Sequence, residues 1–269
     1  MIPKKIHYCW FGENEKPLLV IECIKSWQKY CPDYEIMEWN SKNYDVHKNK
    51  YMEQAYQAKR WGFVSDYARL DIIYQYGGIY LDTDVELIRS LDDLLETDGY
   101  IGFEKKVDEE CDEVYVNTGQ GFGASAFHPV VKAMMDIYKE IDFAEKKKEN
   151  LKTCPYYNTA ALVKLGMKKE NVEQEICKFH IYPAEYFCPI NWKSHKCELT
   201  DNTYSIHHFE ASWLTEKEKK KRKYLRNMDC MIHLPNRICR SILGKERYES
   251  IKEKIKWKHR CTRGTNKIK

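Results

Sequence analysis

The sequence lacks any apolar run long enough to cross a bilayer, for which about 20 consecutive apolar residues are needed. Near the amino end, Lys4, Lys5 and His7 interrupt the apolar residues, so a signal peptide is not indicated. Eleven cysteines are present, but none has the Cys-x-x-Cys spacing of a zinc ribbon, and their odd number does not suit a disulfide framework. We therefore expect a cytoplasmic protein with reduced thiols.

Charge is distributed unevenly along the chain. Residues 214–269 contain 19 Lys or Arg and 6 Asp or Glu, which gives a net charge of +13. The whole chain has 45 basic and 41 acidic residues, so residues 1–213 hold the other 26 and 35 and carry −9. We predict two parts with different partners: a main domain over residues 1–214 and a basic helical extension over residues 215–269.

The extension has the pattern of a basic amphipathic segment. Apolar residues such as Met231, Ile238 and Ile242 share one helical stripe, and Pro235 divides it into two short helices. Such segments favour an anionic membrane surface, and we expect peripheral membrane contact. The alternative is a helical cap that packs on the main domain and leaves its basic face in solvent.

Strand-like and helix-like segments alternate through the main domain. Strands are predicted at 5–10, 34–39, 79–81, 85–88, 100–103, 181–187 and 204–209, and helices at 17–30, 51–59, 62–76, 129–141 and 156–165. This alternation predicts an α/β fold with a parallel-centred sheet. Ligands of such sheets bind beyond the carboxyl ends of the strands.

The most informative segment is GFVSDYARLDIIYQYGGIYLDTD, residues 62–84. Asp66 and Arg69 are three residues apart, so they share one face of the predicted helix. Gly77 and Gly78 suit the end of that helix, where a left-handed residue is needed. The segment therefore predicts a helix that stops at a glycine pair and is followed directly by a short strand.

Two carboxylates follow that strand. Asp82 and Asp84 are two residues apart, so in an extended chain both side chains point the same way. Together with Arg69 they suit a divalent metal that holds a phosphate: oxygen ligands for the cation and a fork of donors for the anion. An isolated Asp-x-Asp is more often a turn with a surface salt bridge, but the ordered run of helix, glycines, strand and carboxylates favours a site.

This segment resembles the sugar-nucleotide-binding region of glycosyltransferase family 32, the Asp-x-Asp family of bacterial capsule and lipopolysaccharide transferases and yeast initiating mannosyltransferases. The glucosyltransferase domains of large clostridial toxins are similar more distantly. The resemblance includes IPKKIHYCWFG at 2–12, Ser-Trp at 26–27, PDYEIMEWN at 32–40 and IHHFEASW at 206–213. It implies a GT-A fold, a Rossmann-like mixed sheet flanked by helices, over roughly residues 1–214, which would form the catalytic domain.

The resemblance also implies roles for the residues of the motif. Asp84 would be a direct ligand of Mn²⁺ or Mg²⁺, and Asp82 would reach the metal, the ribose or the sugar. Arg69 would contact the phosphates or the sugar hydroxyls, and Asp66 would hydrogen-bond the sugar. Tyr80 would pack on the donor, although a core tyrosine fits its position equally well.

Other candidate site residues lie near the two ends of the domain. Trp10 follows the first strand and would stack on the nucleotide base, with core packing as the alternative. Late in the chain, a histidine would complete the metal shell, and Ser212 and Trp213 would reach the diphosphate. Since neighbouring residues of a strand face opposite sides, only one histidine should be a ligand, and we favour His208 over His207.

A glycine-rich stretch at 117–125 lacks the Lys-Ser/Thr of a phosphate-binding loop. We predict instead a strand whose glycines face the sugar pocket.

The residues and the resemblance together predict a metal-dependent, retaining glycosyltransferase with a nucleotide-sugar donor, a UDP-sugar in preference to GDP-mannose. The expected acceptor is a lipid-linked oligosaccharide of a surface polysaccharide, which implies a location at the inner face of the membrane. A toxin-like protein glycosyltransferase is one alternative. The basic tail leaves nucleic-acid binding as another, although the acidic main domain disfavours a nucleic-acid partner.

Overall fold

The computed structural model describes residues 1–12, 14–104, 114–144, 152–190 and 197–209. The helices in these ranges are α1 (Leu18–Tyr30), α2 (Lys50–Gln57), α3 (Trp61–Tyr76), α4 (Pro129–Ile137) and α5 (Cys154–Lys164). The strands are β1 (Lys5–Cys9), β2 (Glu35–Trp39), β3 (Gly78–Tyr80), β4 (Val85–Leu87), β5 (Gly99–Glu104), β6 (Tyr115–Val116), β7 (Phe122–Ala124), β8 (Gln174–Ile176), β9 (Phe179–Tyr182) and β10 (Ser205–His207).

The main sheet is mixed and mostly parallel. Its strand order is β2-β1-β3-β7-β5-β9-β8, and β6 pairs with β5 beside this path. Strands β2, β1, β3, β5 and β9 run in the same direction, while β7 and β8 run against them. A separate pair joins β4 and β10 in antiparallel register. The carboxyl ends of five strands therefore meet at one edge of the sheet.

Helices cover both faces of this sheet. On one face, apolar residues of α2, α3, α4 and α5 form a single cluster with Tyr80 and Phe103 of the strands. On the other face, Trp27 of α1 lies in a second cluster with Ile6 and Ile79. Its indole Nε1 donates to the carbonyl of Val85 at 2.7 Å, which fixes α1 against β4. The predicted α/β fold with a mixed sheet flanked by helices is confirmed.

The junction between α3 and β3 has the form that its sequence predicts. The N–H of Gly77 closes the helix on the carbonyl of Ile73 at 2.9 Å, and both Gly77 and Gly78 have positive φ angles, 63° and 103°. A Cβ on Gly78 would also lie 2.9 Å from the carbonyl oxygen of Lys5. Two glycines therefore let the chain turn directly from the helix into the central strand.

The described helices include none that is long and apolar enough to span a bilayer. The extension at 215–269, and with it the boundary at 214, lies outside the described residues, so both remain predictions.

Candidate active site

The candidate site lies at the edge of the sheet where the parallel strands end. Asp82 and Asp84 follow β3, and Trp10 follows the neighbouring parallel strand β1. The backbone N–H of Asp82 donates to the carbonyl of Gly119 at 2.9 Å, and the carbonyl of Asp82 accepts from the N–H of Val85 at 3.0 Å. These two bonds hold the Asp-x-Asp turn in place above the sheet.

Arg69 brings α3 into the site. Its side chain is buried, and its Nη2 lies 3.3 Å from Asp66 Oδ1 and 3.3 Å from Asp82 Oδ1. Its Nε donates to the carbonyl of Ser65 at 3.0 Å, and its guanidinium carbon lies 5.0 Å from the ring centre of Tyr80. Asp66 and Arg69 thus share one helix face, as their spacing predicts, and Arg69 connects Asp66 to Asp82.

The loop before β7 supplies Gly119, from the glycine-rich stretch predicted to face the pocket, and Thr118, which sequence reasoning did not single out. Thr118 Oγ1 lies 3.5 Å from Arg69 Nη1 and accepts a hydrogen bond from Asn158 at 3.0 Å. Gly119 packs so closely that a Cβ there would lie 2.1 Å from Asp82 Oδ2. The glycine-rich composition of 117–125 was the one signal for this approach. The predicted strand is present, but only as residues 122–124, and the contact comes from the loop ahead of it.

The structure places His207, and not His208, beside the carboxylates. His207 Nε2 lies 3.2 Å from Asp84 Oδ1, whereas His208 Nε2 lies 3.0 Å from Glu86 Oε2 on the other side of the strand. His207, the last residue of β10, and His208, which follows it, therefore face opposite sides, as expected, and the geometry favours His207 as the ligand in place of the predicted His208. The register of β10 decides this, because His207 pairs with Val85 of β4.

Asp82, Asp84 and His207 form a group that fits a metal ion. One ligand atom from each residue lies within 4.8 Å of those of the other two. Two carboxylates and an imidazole suit Mn²⁺ or Mg²⁺, with the imidazole favouring Mn²⁺. Within the described residues, Nδ1 of His207 is buried and has no hydrogen-bond partner. The imidazole is therefore held by packing, with the ring of Phe209 4.2 Å away, and by Asp84.

Burial and charge both shape the titration of the site. Burial raises the pKa of Asp66 to about 6, although Arg69 acts in the opposite direction. Burial likewise raises the pKa of Asp82 against the effect of Arg69. Burial lowers the pKa of His207, but Asp84, Asp82 and Glu104 outweigh it, so the net shift is upward. These shifts are typical of an excess of negative charge in a partly buried site.

The two aromatic residues that are predicted to contact the nucleotide-sugar donor, Tyr80 and Trp10, differ in their surroundings. Tyr80 is 1% exposed, and its hydroxyl donates to Asp82 Oδ1 at 3.0 Å, so it supports the site from the core side. Trp10 is partly buried, and its Nε1 donates to the carbonyl of Asn14 at 3.0 Å. Stacking of Trp10 on a base and packing of Tyr80 on a donor remain predictions.

Ser212 and Trp213 lie outside the described residues, so their predicted contact with a diphosphate also remains a prediction.

Comparison with known proteins assigns the region that carries this site. Residues 17–100 match the family described as "Glycosyltransferase sugar-binding region containing DXD motif". A curated relative, "Inositol phosphoceramide mannosyltransferase 3" of Schizosaccharomyces pombe, is 35% identical over 108 residues, which cover 37% of this chain. The same match covers 29% of the relative, so the chain spans less than a third of that protein.

Two solved glycosyltransferase structures are also similar. "PaToxG Glycosyltransferase" has a TM-score of 0.46 and 17% identity, over 61% of this chain and 69% of that one. The galactosyltransferase LgtC, in complex with donor and acceptor sugar analogues, has a TM-score of 0.44 and 12% identity, over 88% and 99%.

Residues 17–100, which contain Asp66, Arg69, Asp82 and Asp84, are the segment that matches the sugar-binding region of Asp-x-Asp glycosyltransferases. The family resemblance and the glycosyltransferase class predicted from the sequence are thereby confirmed.

Proposed function

We propose that the protein transfers a sugar from a nucleotide-sugar donor to a hydroxyl acceptor, with a divalent cation and with retention of anomeric configuration. The observation that carries this proposal is the group Asp82, Asp84 and His207 beside the buried Arg69. Ligands for a cation and a fixed fork of donors for an anion lie together at the sheet edge, and all of them except His207 lie within residues 17–100, the segment that matches the sugar-binding region.

Different residues would bind the cation and the anion. Asp82, Asp84 and His207 would hold Mn²⁺ or Mg²⁺, which acts as a Lewis acid on the leaving diphosphate. Arg69, whose pKa its acidic neighbours raise well above its ordinary value despite burial, stays charged and donates to phosphate or sugar oxygens. Asp66 fixes the guanidinium from the helix side. Retention and front-face substitution, in which the leaving phosphate assists the acceptor, are inferred from the family resemblance.

The donor and the acceptor are proposed from the resemblance and from the relative. The family resemblance favours a UDP-sugar, while the fission-yeast relative is by its name a mannosyltransferase, which supports GDP-mannose. That name also contains a ceramide lipid, which supports our proposal of a lipid-linked acceptor. A lipid-linked oligosaccharide of a surface polysaccharide is the acceptor we propose.

A thermal-shift panel tests the donor assignment. UDP-glucose, UDP-galactose, their N-acetyl forms and GDP-mannose are each added with Mn²⁺, and again with a chelator in place of Mn²⁺. A donor at about 100 times its Kd stabilises the folded state by about 2.7 kcal/mol, which raises Tm by roughly 5–10 °C in a domain of this size. We expect one nucleotide family to give this rise with Mn²⁺ only. A flat panel under both conditions would contradict the proposed function.

A further inference from the structure

A further carboxylate at the same sheet edge, that of Glu104, makes no hydrogen bond or ion pair with the residues of the proposed metal site in the part of the chain that the structure describes. Glu104 is the last residue of β5, which runs parallel to β3 with β7 between them. Neighbouring strands lie about 4.8 Å apart, so the ends of β3 and β5 are about 10 Å from each other. Side chains at these two strand ends can therefore reach the same small region beside the Asp-x-Asp turn.

The loop that leads into β7 connects these two strand ends. The N–H of Asn117 donates to the carbonyl of Gly102 in β5 at 3.1 Å. Two residues later, the carbonyl of Gly119 accepts from the N–H of Asp82 at 2.9 Å. Residues 117–119 therefore run along the sheet edge from β5 to the Asp-x-Asp turn. Gly119, which has no side chain, lies between Asn117 and Asp82.

The side chain of Asn117 fixes Glu104 in this arrangement. Its Nδ2 donates to Glu104 Oε2 at 2.9 Å, while its Oδ1 accepts from the N–H of Gly119 at 2.7 Å. Among the described residues, Asn117 is the hydrogen-bond partner of Glu104, which leaves further acceptor capacity on the carboxylate. Asn117 Oδ1 and Arg69 Nη1 lie 3.1 and 3.0 Å from the place that a Cβ of Gly119 would take. The amide and the guanidinium therefore flank the same small gap.

We propose that Glu104, oriented by Asn117, accepts hydrogen bonds from hydroxyl groups of the sugar that is transferred. The proposal rests on the proposed function, because a diphosphate held at Asp84 and Arg69 places the attached sugar over Gly119. A carboxylate is an acceptor for two hydroxyl donors, so Glu104 would select the donor sugar by the positions of its hydroxyl groups. The competing explanation is that Glu104 only anchors the loop at 117–121.

A pair of binding measurements separates these explanations. The probes are the nucleotide sugar with the largest Tm rise and the matching nucleoside diphosphate, both with Mn²⁺. In Glu104→Gln the new amide oxygen still accepts from Asn117, so the loop is preserved while the charge is lost. We expect Kd for the nucleotide sugar to rise about tenfold and Kd for the diphosphate to change less than twofold. Glu140→Gln, which alters an exposed glutamate, should change neither.

The possible outcomes test the role of Glu104 separately from the proposed function. Equal weakening of both ligands would show that Glu104 supports the loop or the metal site, and unchanged affinity for both would show that it does not touch the sugar. Either result overturns the role of Glu104 and leaves the proposed function standing. Wild-type protein that binds neither probe with Mn²⁺ would overturn the proposed function itself.

Discussion

At the scale of single residues, the charged side chains of the candidate site carry a local excess of negative charge. Asp66 and Asp82 pair with the guanidinium of Arg69, and Asp84 pairs with His207, which adds no charge while it is neutral. Three carboxylates against one arginine leave about two negative charges in a partly buried site. Buried charges need partners of opposite sign, so this composition favours a divalent cation.

A substitution at Gly119 tests the metal site, because it should disturb the site while the fold is preserved. In Gly119→Ala the new Cβ would lie 2.1 Å from Asp82 Oδ2, so the carboxylate must move. The moving atom ends a flexible side chain, and φ of Gly119 lies outside the left-handed region, so Tm should change little. We predict at least a tenfold loss of Mn²⁺ affinity with Tm within a few degrees of wild type.

Gly166→Ala is the matched control for this substitution. Gly166 has a φ of 105°, and no atom lies within 4 Å of the position of its Cβ. Its replacement strains the backbone and should destabilise the protein by about 1 kcal/mol, while Mn²⁺ affinity is retained. If the two variants lose metal affinity equally, close packing at Gly119 is not what positions Asp82.

The roles of single residues were predictable where the spacing within one element decides them. Asp66 with Arg69, and Asp82 with Asp84, lie close along the chain, so helix and strand geometry place them. The histidine was not predictable in this way, because its side depends on how β10 pairs with β4, and His207 pairs with Val85, which lies 122 residues earlier in the chain. The glycine-rich composition of 117–125 predicted a close approach to the pocket, but the roles of the Asn117 and Thr118 side chains were missed, since they reach the site only through the strand order.

At the level of elements, a buried histidine joins β1, β2 and the end of α3. The indole Nε1 of Trp39 can only donate, so Nδ1 of His7 accepts from it at 3.1 Å. His7 Nε2 must then carry the proton, and it donates to the carbonyl of Gly77 at 2.9 Å. A second proton on this ring would face the Trp39 donor. Burial accordingly lowers the pKa of His7 to about 4, although the Gly77 carbonyl acts in the opposite direction.

The lowered pKa of His7 predicts that the protein loses stability as the pH falls from 6.5 to 4. Because the folded pKa lies below the unfolded one, the unfolded state binds more protons in this interval, and stability falls as pH falls. The contribution of His7 should amount to roughly 2 kcal/mol between pH 7 and pH 5. Urea unfolding of wild type and His7→Gln at both pH values measures it, and the variant should show the smaller loss. His47→Gln, at an exposed histidine, serves as control, and equal pH slopes in all three proteins would refute the linkage.

Most elements could be predicted from local patterns, and the exceptions have a physical cause. The helix before the glycine pair has its own periodicity and end signals, and it is found at Trp61–Tyr76. Strands β6 and β8 were not predicted, because they contain two and three residues and exist only through pairing with β5 and β9. Strand order and the reversed direction of β7 likewise depend on long-range packing that the sequence pattern does not encode locally.

At the level of the whole molecule, charge separates along the chain. The acidic part carries the cation site, and residues 214–269 carry the +13 that we associate with an anionic membrane surface. Each basic side chain near such a surface contributes about 1 kcal/mol, and salt weakens the effect. Reversal of charge at Lys252, Lys254, Lys256 and Lys258 should therefore reduce flotation with anionic liposomes at low salt. Activity on a soluble acceptor should survive, and wild-type protein that ignores such liposomes would refute the membrane role.

The most direct test of the central claim is calorimetric titration of Mn²⁺ in the presence of the nucleoside diphosphate that the protein prefers. We predict binding by wild type and by His208→Ala, and at least a tenfold loss in Asp84→Asn and His207→Ala, because the first of these replaces a charged carboxylate of the group around Asp82 by a poorer neutral ligand and the second removes the imidazole. Circular dichroism of each variant confirms that the fold is kept. Wild-type affinity for Mn²⁺ in folded Asp84→Asn and His207→Ala proteins would contradict the assignment of the metal site.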